Sequence, residues 1–449
     1  MATTRLANTM GTPTLGTKFT YSCWVKRSGL LAPSTMTSAW VDGNNHIVLR
    51  FDLQDNLSFY IYNSGSFPLE LETNAVFRDV SAWYHIVAKV DTTQATSSNR
   101  CKLYVNGTEQ TSLSTATYPS QDATFNANAS GSTNYVGGRG DSTAYFDGSM
   151  THVHFTDGYA YDASTFGETD STSGIWKPKA APSVTYGTNG FFLKFENSGN
   201  LDLDSSSNNR SFSTTGTITQ NVDTPTNNFA TLNPLDAYYT NSTFSNANLT
   251  FASGSSFSGT KANILLDTGK WYWEVKPISK TGDTDNYTIG IIGAETTATN
   301  QYDGYHISHG FQYYGTSGQI YSNGSGSSYG NTYTAGDIIG VALDLDNNKL
   351  YFSKNGTFQN SGVPTSGSTG TGAVSITDPA SVTLRGYYPS QTFWSGSSAT
   401  FSVNFGSGFF GTSAVASANA DGNGHGAFEY SVPTGYYALC TENIKLYGG

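Results

Sequence analysis

Charge is scarce in this chain. Asp, Glu, Lys and Arg together make up 12% of its 449 residues, about half the share of an ordinary globular protein. The residues that build helices, Ala, Leu, Glu and Lys, are thin, which excludes a helical or α/β enzyme. No stretch approaches the roughly 20 apolar residues of a membrane-spanning helix, so membrane insertion is not expected. The 22 basic residues are outnumbered by 33 acidic ones, for a net charge of −11. With no basic block to neutralise phosphates, nucleic acid is not an expected partner. Cysteine is limited to Cys23, Cys101 and Cys440, too few and too odd a number for a disulfide framework. Cys23 and Cys101 fall in step with apolar neighbours and read as core residues.

What is abundant is aromatic and turn-forming. Aromatics reach 14%, with 29 Tyr and 26 Phe, alongside 49 Gly. That aromatic content excludes a disordered chain, which is depleted in the residues that would bury it. An all-β protein remains. The first sixteen residues hold no apolar core of a secretion signal, so an unsecreted chain is expected. A polar, exposed surface without a leader is what a virion protein would have, folding in a host cytoplasm and later facing outward.

Alternation at period two runs along the chain. Phe19, Tyr21, Cys23 and Val25 share one face, and so do Leu57, Phe59 and Ile61. Tyr84, Ile86, Ala88 and Val90 repeat the pattern, as do Trp271, Trp273 and Val275, and Phe401, Val403 and Phe405. Residues 287–292 form a near-continuous apolar run, as expected of a buried strand. Asn106-Gly107 and Asn355-Gly356 supply tight hairpin turns, because both residue types tolerate positive φ. No segment keeps a 3.6-residue period, so helices should be few and short. Residues 222–236, with two prolines and no alternation, read as a linker. The expected architecture is two β-sandwich (jelly-roll) domains in tandem. The first spans residues 1–221 and the second 237–413, with a C-terminal extension at 414–449.

Four segments of the first half, FTYSCWVK (19–26), WYHIV (83–87), LYVNG (103–107) and FDG (146–148), resemble the laminin-G-like, concanavalin A-like jelly roll. In the second half GKWYWEV (269–275), GDIIGVALD (336–344) leading to KLYFSKNG (349–356), YYP (387–389) and VNFG (403–406) resemble the SPRY domain. The segments at 227–235 and 428–440 look like stretches of structural proteins of marine tailed bacteriophages. The resemblance implies a non-enzymatic virion appendage: a tail fibre, head fibre or capsid decoration protein on the particle surface. Its implied partners are other virion proteins, further copies of itself, and a host-surface glycan or protein. The alternatives are a glycan-active hydrolase or a free lectin-like adhesin.

Candidate sites follow from both sources. SPRY domains bind ligands through loops at one end of the sandwich, and Tyr302, Tyr305, Tyr313, Tyr314 and Tyr321, with Tyr387, Tyr388 and Trp394, appear as loop aromatics suited to stacking or anchoring. Laminin-G-like modules often carry a rim calcium, which makes Asp141 and Asp147 the candidate ligands; no other cofactor is implied. Glu70 and Glu72 share a strand face, but the carboxylate string of jelly-roll glucanases is absent and a solvated pair is expected. His152 and His154 flank Val153 with no evident third ligand. Arg139-Gly140-Asp141 spells an adhesion tripeptide, cheap to find by chance in a Gly-rich loop.

Overall fold

A computed structural model of the protein describes residues 3–236, 242–254, 258–281, 287–293, 309–393 and 398–448. The chain divides into two compact units, Met1–Gln220 and Asn221–Gly449. Each is a pair of antiparallel sheets around one core, so the all-β, two-sandwich expectation is met.

In the first unit one sheet has eight strands. Its order is Leu113–Thr117, Ser66–Val76, Asn56–Asn63, Asn45–Phe51, Ser34–Asp42, Thr133–Val136, Arg5–Thr9 and Ser213–Thr215. The facing sheet has six, in the order Phe191–Leu193, Gly148–Asp157, Lys18–Arg27, Trp83–Asp91, Cys101–Val105 and Thr108–Glu109. The alternating residues named above meet between them. Phe19, Tyr21, Cys23, Phe59, Ile61, Ile86 and Cys101 all lie in one apolar cluster. Burial alone pushes the Cys23 thiol up to about 12, and all three cysteines are free and buried. The Asn106-Gly107 turn has φ values of 49° and 82°, the left-handed pair a tight hairpin needs.

The second unit pairs a sheet built on Lys270–Thr281 with another built on Tyr387–Phe393 and Tyr287–Gly293. Trp271, Trp273, Val275, Phe401, Val403 and Phe405 fill its core. A third layer lies outside the first of these sheets. Residues 222–236, expected as a linker, are folded into this unit, and so is the expected C-terminal extension. Phe229 bridges Cys440, Ala230 N donates to Leu439 O at 2.9 Å, and Thr441 N donates to Asn228 O at 2.9 Å. The strand Tyr437–Ala438 runs parallel to Trp271 and Tyr272. Phe229, Phe428, Tyr436, Ala438 and Cys440 thereby bury the outward Tyr272 and Tyr351. Sequence alternation had marked only one face of Lys270–Thr281 as apolar; the other is covered by the two ends of the unit meeting each other.

The α-helices among the described residues are short, Ala163–Phe166 and Thr441–Tyr447. No helix among the described residues is long and apolar enough to cross a membrane.

Candidate functional site

The expected loop aromatics are mostly not loop residues. Tyr313 and Tyr314 lie in the strand Gly310–Tyr314, and Tyr387 opens the strand Tyr387–Phe393. All three are buried. The Tyr313 hydroxyl donates to Asn331 O and that of Tyr387 to Thr377 O at 2.8 Å. Tyr314 packs on Tyr321 with ring centroids 4.7 Å apart. These three side chains are buried in strands and not displayed on loops. Tyr388 and Tyr321 are half-buried, Tyr388 with its ring under Lys261 Nζ at 5.3 Å. Tyr302, Tyr305 and Trp394 lie outside the described residues.

Beside Tyr387 the chain displays something else. The segment 377–387 is closed by the Tyr387 hydroxyl bond to Thr377 and by Asp378, whose side chain caps Ala380 N at 2.8 Å. Val382 anchors it from below. Between these anchors Leu384 and Arg385 both take left-handed conformations, φ 58° and 57°, which cost a side-chain-bearing residue roughly 1–2 kcal/mol each. Leu384 is 69% exposed, the most exposed large apolar side chain among the described residues, and Arg385 is exposed beside it.

Asp141 and Asp147 do not converge. Asp141 pairs with Arg139 at 3.1 Å and accepts from Thr143 Oγ1 at 2.7 Å, while Asp147 accepts from Ser28 Oγ at 2.8 Å. No group of three potential metal ligands occurs among the described residues. The Arg139–Asp141 pair also closes the Arg-Gly-Asp tripeptide on itself. His152 and His154 are separated by an irregularity in the ladder, with His152 at φ 48°. His154 is fully buried, its ring stacked 3.9 Å from Phe192 and its Nδ1 3.0 Å from the Tyr186 hydroxyl.

A histidine the sequence did not single out is more elaborately held. The Trp176 indole N–H donates to His85 Nδ1 at 3.0 Å, which leaves the ring proton on Nε2, facing Ser22 Oγ at 2.9 Å. Burial pushes His85 down to about 3. The second unit buries a carboxylate. Glu274 accepts Tyr430 N at 2.8 Å and Glu429 N at 2.9 Å, with the Tyr272 hydroxyl and the Asn404 amide alongside. Burial raises its carboxyl to about 7, against the pull of those donors. Neither group reaches solvent, so both serve the fold.

The outer face of the eight-stranded sheet carries a second cluster that sequence reading missed. Ile47, Leu49, Ile61 and Leu71 point into the core, so the residues between them point out. Trp40 pairs with His46 and His46 with Tyr62 across neighbouring strands. Their rings form a layer, with Trp40 stacked on His46 at 4.3 Å and Tyr62 packed on Phe67 at 4.6 Å. Arg50 lies over Tyr60 at 5.1 Å, Arg139 over Trp40 at 5.2 Å and Arg5 over Tyr135 at 4.5 Å. Glu70 and Glu72 border this face, Glu72 accepting from Ser114 Oγ at 2.9 Å.

Comparison with known proteins supports the two domain types. Residues 4–164 match the concanavalin A-like lectin/glucanases superfamily, and residues 270–377 match the SPRY domain. Ran-binding protein 9 of Danio rerio is 40% identical over 90 residues, 20% of this chain and 14% of that protein. Ran-binding protein 9 of Homo sapiens is 39% identical over 90 residues, 20% of this chain and 12% of its own length. The chain thus spans only about an eighth of those relatives. A solved structure, the SPRY domain of human HERC1, is 18% identical, covering 38% of this chain and 96% of that one with a TM-score of 0.31.

These relatives correct the expected role. They are cellular proteins of animals, not parts of a bacteriophage particle, so the virion appendage and its virion-surface location are withdrawn. Of the two alternatives, the lectin-like adhesin keeps only weak support, from the concanavalin A-like match. This chain carries a concanavalin A-like domain followed by a SPRY domain.

Proposed function

We propose that this chain is a non-enzymatic binding protein whose second unit grips a protein partner through the segment bearing Leu384 and Arg385. The observation that carries this reading is the left-handed, outward display of Leu384 between buried anchors. An exposed leucine beside a guanidinium suits a partner segment that offers an apolar contact next to a carboxylate. The likeness to proteins named for binding Ran supports protein recognition as the kind of activity; the partner here is defined by its chemistry.

The test is a random-peptide display screen on the purified chain. Enriched peptides should pair an apolar residue with an acidic one and lose binding to Leu384→Ser and Arg385→Glu variants. Enriched peptides that bind both variants as tightly as the native chain would overturn the assignment.

A further inference from the structure

Asparagine followed by glycine is chemically labile, because the missing Cβ lets the next backbone nitrogen approach the side-chain amide. The chain has five such pairs, beginning at Asn106, Asn189, Asn323, Asn355 and Asn423. Asn189 is fully buried and donates to Asp157 at 3.0 Å and to Gly11 O at 3.1 Å. Asn423 donates to Asn443 Oδ1 at 2.8 Å. The other three asparagines are exposed, each opening a hairpin turn of nearly the same conformation. The φ values are 49° and 82° at Asn106-Gly107, 48° and 74° at Asn323-Gly324, and 49° and 80° at Asn355-Gly356. Neither exposure nor turn geometry separates these three.

Their surroundings do. Asn106 Oδ1 accepts His85 N at 2.8 Å, and a Cβ on Gly107 would stand 2.9 Å from the Trp176 ring. Asn355 Oδ1 accepts Ile338 N at 2.8 Å, its Nδ2 donates to Asp337 at 2.7 Å, and a Cβ on Gly356 would stand 2.6 Å from the Tyr430 ring. Asn323 and the Gly324 N–H have no hydrogen-bond partner among the described residues, and a Cβ on Gly324 would meet nothing within 4 Å. We propose that Asn323 is a modification site, at which the folded chain converts an amide into an acid without an enzyme. The Gly324 nitrogen gives its proton to base and bonds to Asn323 Cγ. The Cγ–Nδ2 bond breaks, and the nitrogen takes up a proton and leaves as ammonia. Water then opens the cyclic imide at either carbonyl, giving aspartate or isoaspartate. Isoaspartate adds a methylene to the backbone, which a two-residue turn accommodates only by shifting the Ser322–Ser325 pair. That hairpin seats Tyr321, whose ring would lie 2.7 Å from a Cβ on Gly326 and is 4.7 Å from that of Tyr314.

The experiment is peptide mapping by mass spectrometry of the folded full chain, incubated in warm, mildly alkaline buffer, with a denatured sample alongside. Asn323 should convert at least about tenfold faster than any of the other four, since each of those must first give up a hydrogen bond. In the denatured chain the five rates should draw together. Hydrogen exchange across residues 319–328 should be faster in the isoaspartate fraction than in the native chain. Asn323→Asp adds the charge without lengthening the backbone and should exchange like the native chain. Conversion of Asn323 no faster than that of the tied asparagines in the folded chain would overturn the proposal. So would a lead of the same size after denaturation, which would trace the selectivity to neighbouring sequence, or hairpin exchange indifferent to isoaspartate.

Discussion

The Trp176 side chain lies over the six-stranded sheet and donates its indole N–H to His85 Nδ1 at 3.0 Å. Two glycines make room for it: a Cβ on Gly107 or on Gly167 would stand 2.9 or 2.5 Å from the indole ring. The ring thereby joins Val87, Tyr104, Ala163 and Phe166 in a small cluster outside the main core. Trp176→Phe keeps most of this packing but orphans a buried imidazole nitrogen. The expected loss is about 1–3 kcal/mol, read as a lowered denaturant midpoint with an unchanged m-value.

Acid should weaken the first unit from about pH 6.5 downward. His85 and His154 are fully buried and held neutral, their pKa values pushed below the usual histidine value chiefly by burial. Each takes a proton in the unfolded chain from about pH 6.5 downward but not in the folded one. Stability is therefore complete above about pH 6.5 and falls as pH drops from there toward 3. The slope is about 1.4 kcal/mol per pH unit for each such histidine. His85→Gln should reduce the slope measured by hydrogen exchange on peptides of residues 18–27 and 83–91.

The second unit should respond with the opposite sign. The Glu274 carboxyl is raised by burial to about 7 from 4.5. Between these values the folded state holds a proton that the unfolded state has released. Stability is then highest below about pH 4.5 and declines as pH rises to 7, by at most about 3 kcal/mol. Hydrogen exchange across residues 427–440, followed between pH 5 and 8, should show protection falling as pH rises. Glu274→Gln should flatten that dependence. It should also speed proteolysis of the tail, because an amide NH2 would face the N–H of Glu429 or Tyr430.

Asp55 joins loops at one end of the first sandwich. It pairs with the fully buried Arg27 at 2.8 Å, binds Arg78 Nε at 2.8 Å and accepts Leu31 N at 2.8 Å. Arg27 in turn lies 4.2 Å over the Phe51 ring. Asp55→Asn leaves a buried guanidinium without its counter-charge and should cost about 3–5 kcal/mol, read by thermal or chemical denaturation.

Much of the fold was legible because it rests on local rules. Period-two alternation fixed which of Phe19, Tyr21 and Cys23 faced inward, and Asn-Gly pairs marked the hairpins. What escaped depends on distant pairing. Trp40, His46 and Tyr62 become one surface only through the register of three strands. Glu274 meets Tyr430 across 156 residues, so the tail read as an appendage and residues 222–236 as a linker. Tyr313, Tyr314 and Tyr387 were mistaken for loop residues because glycines around them mimic turns, whereas the chain there is buried strand. The seven-residue helix Thr441–Tyr447 is too short to show a period. The positive φ of Leu384 has no sequence signal at all, since leucine seldom adopts it.

In the proposed reading the second unit recognises a protein segment through Leu384 and Arg385. The most direct measurement is the equilibrium Kd of a peptide selected on the native chain, compared with that for the Leu384→Ser, Arg385→Glu double variant, with matching circular dichroism to confirm the fold. A rise of at least about a hundredfold is expected, from the loss of two central contacts. An unchanged Kd in a folded variant would contradict it.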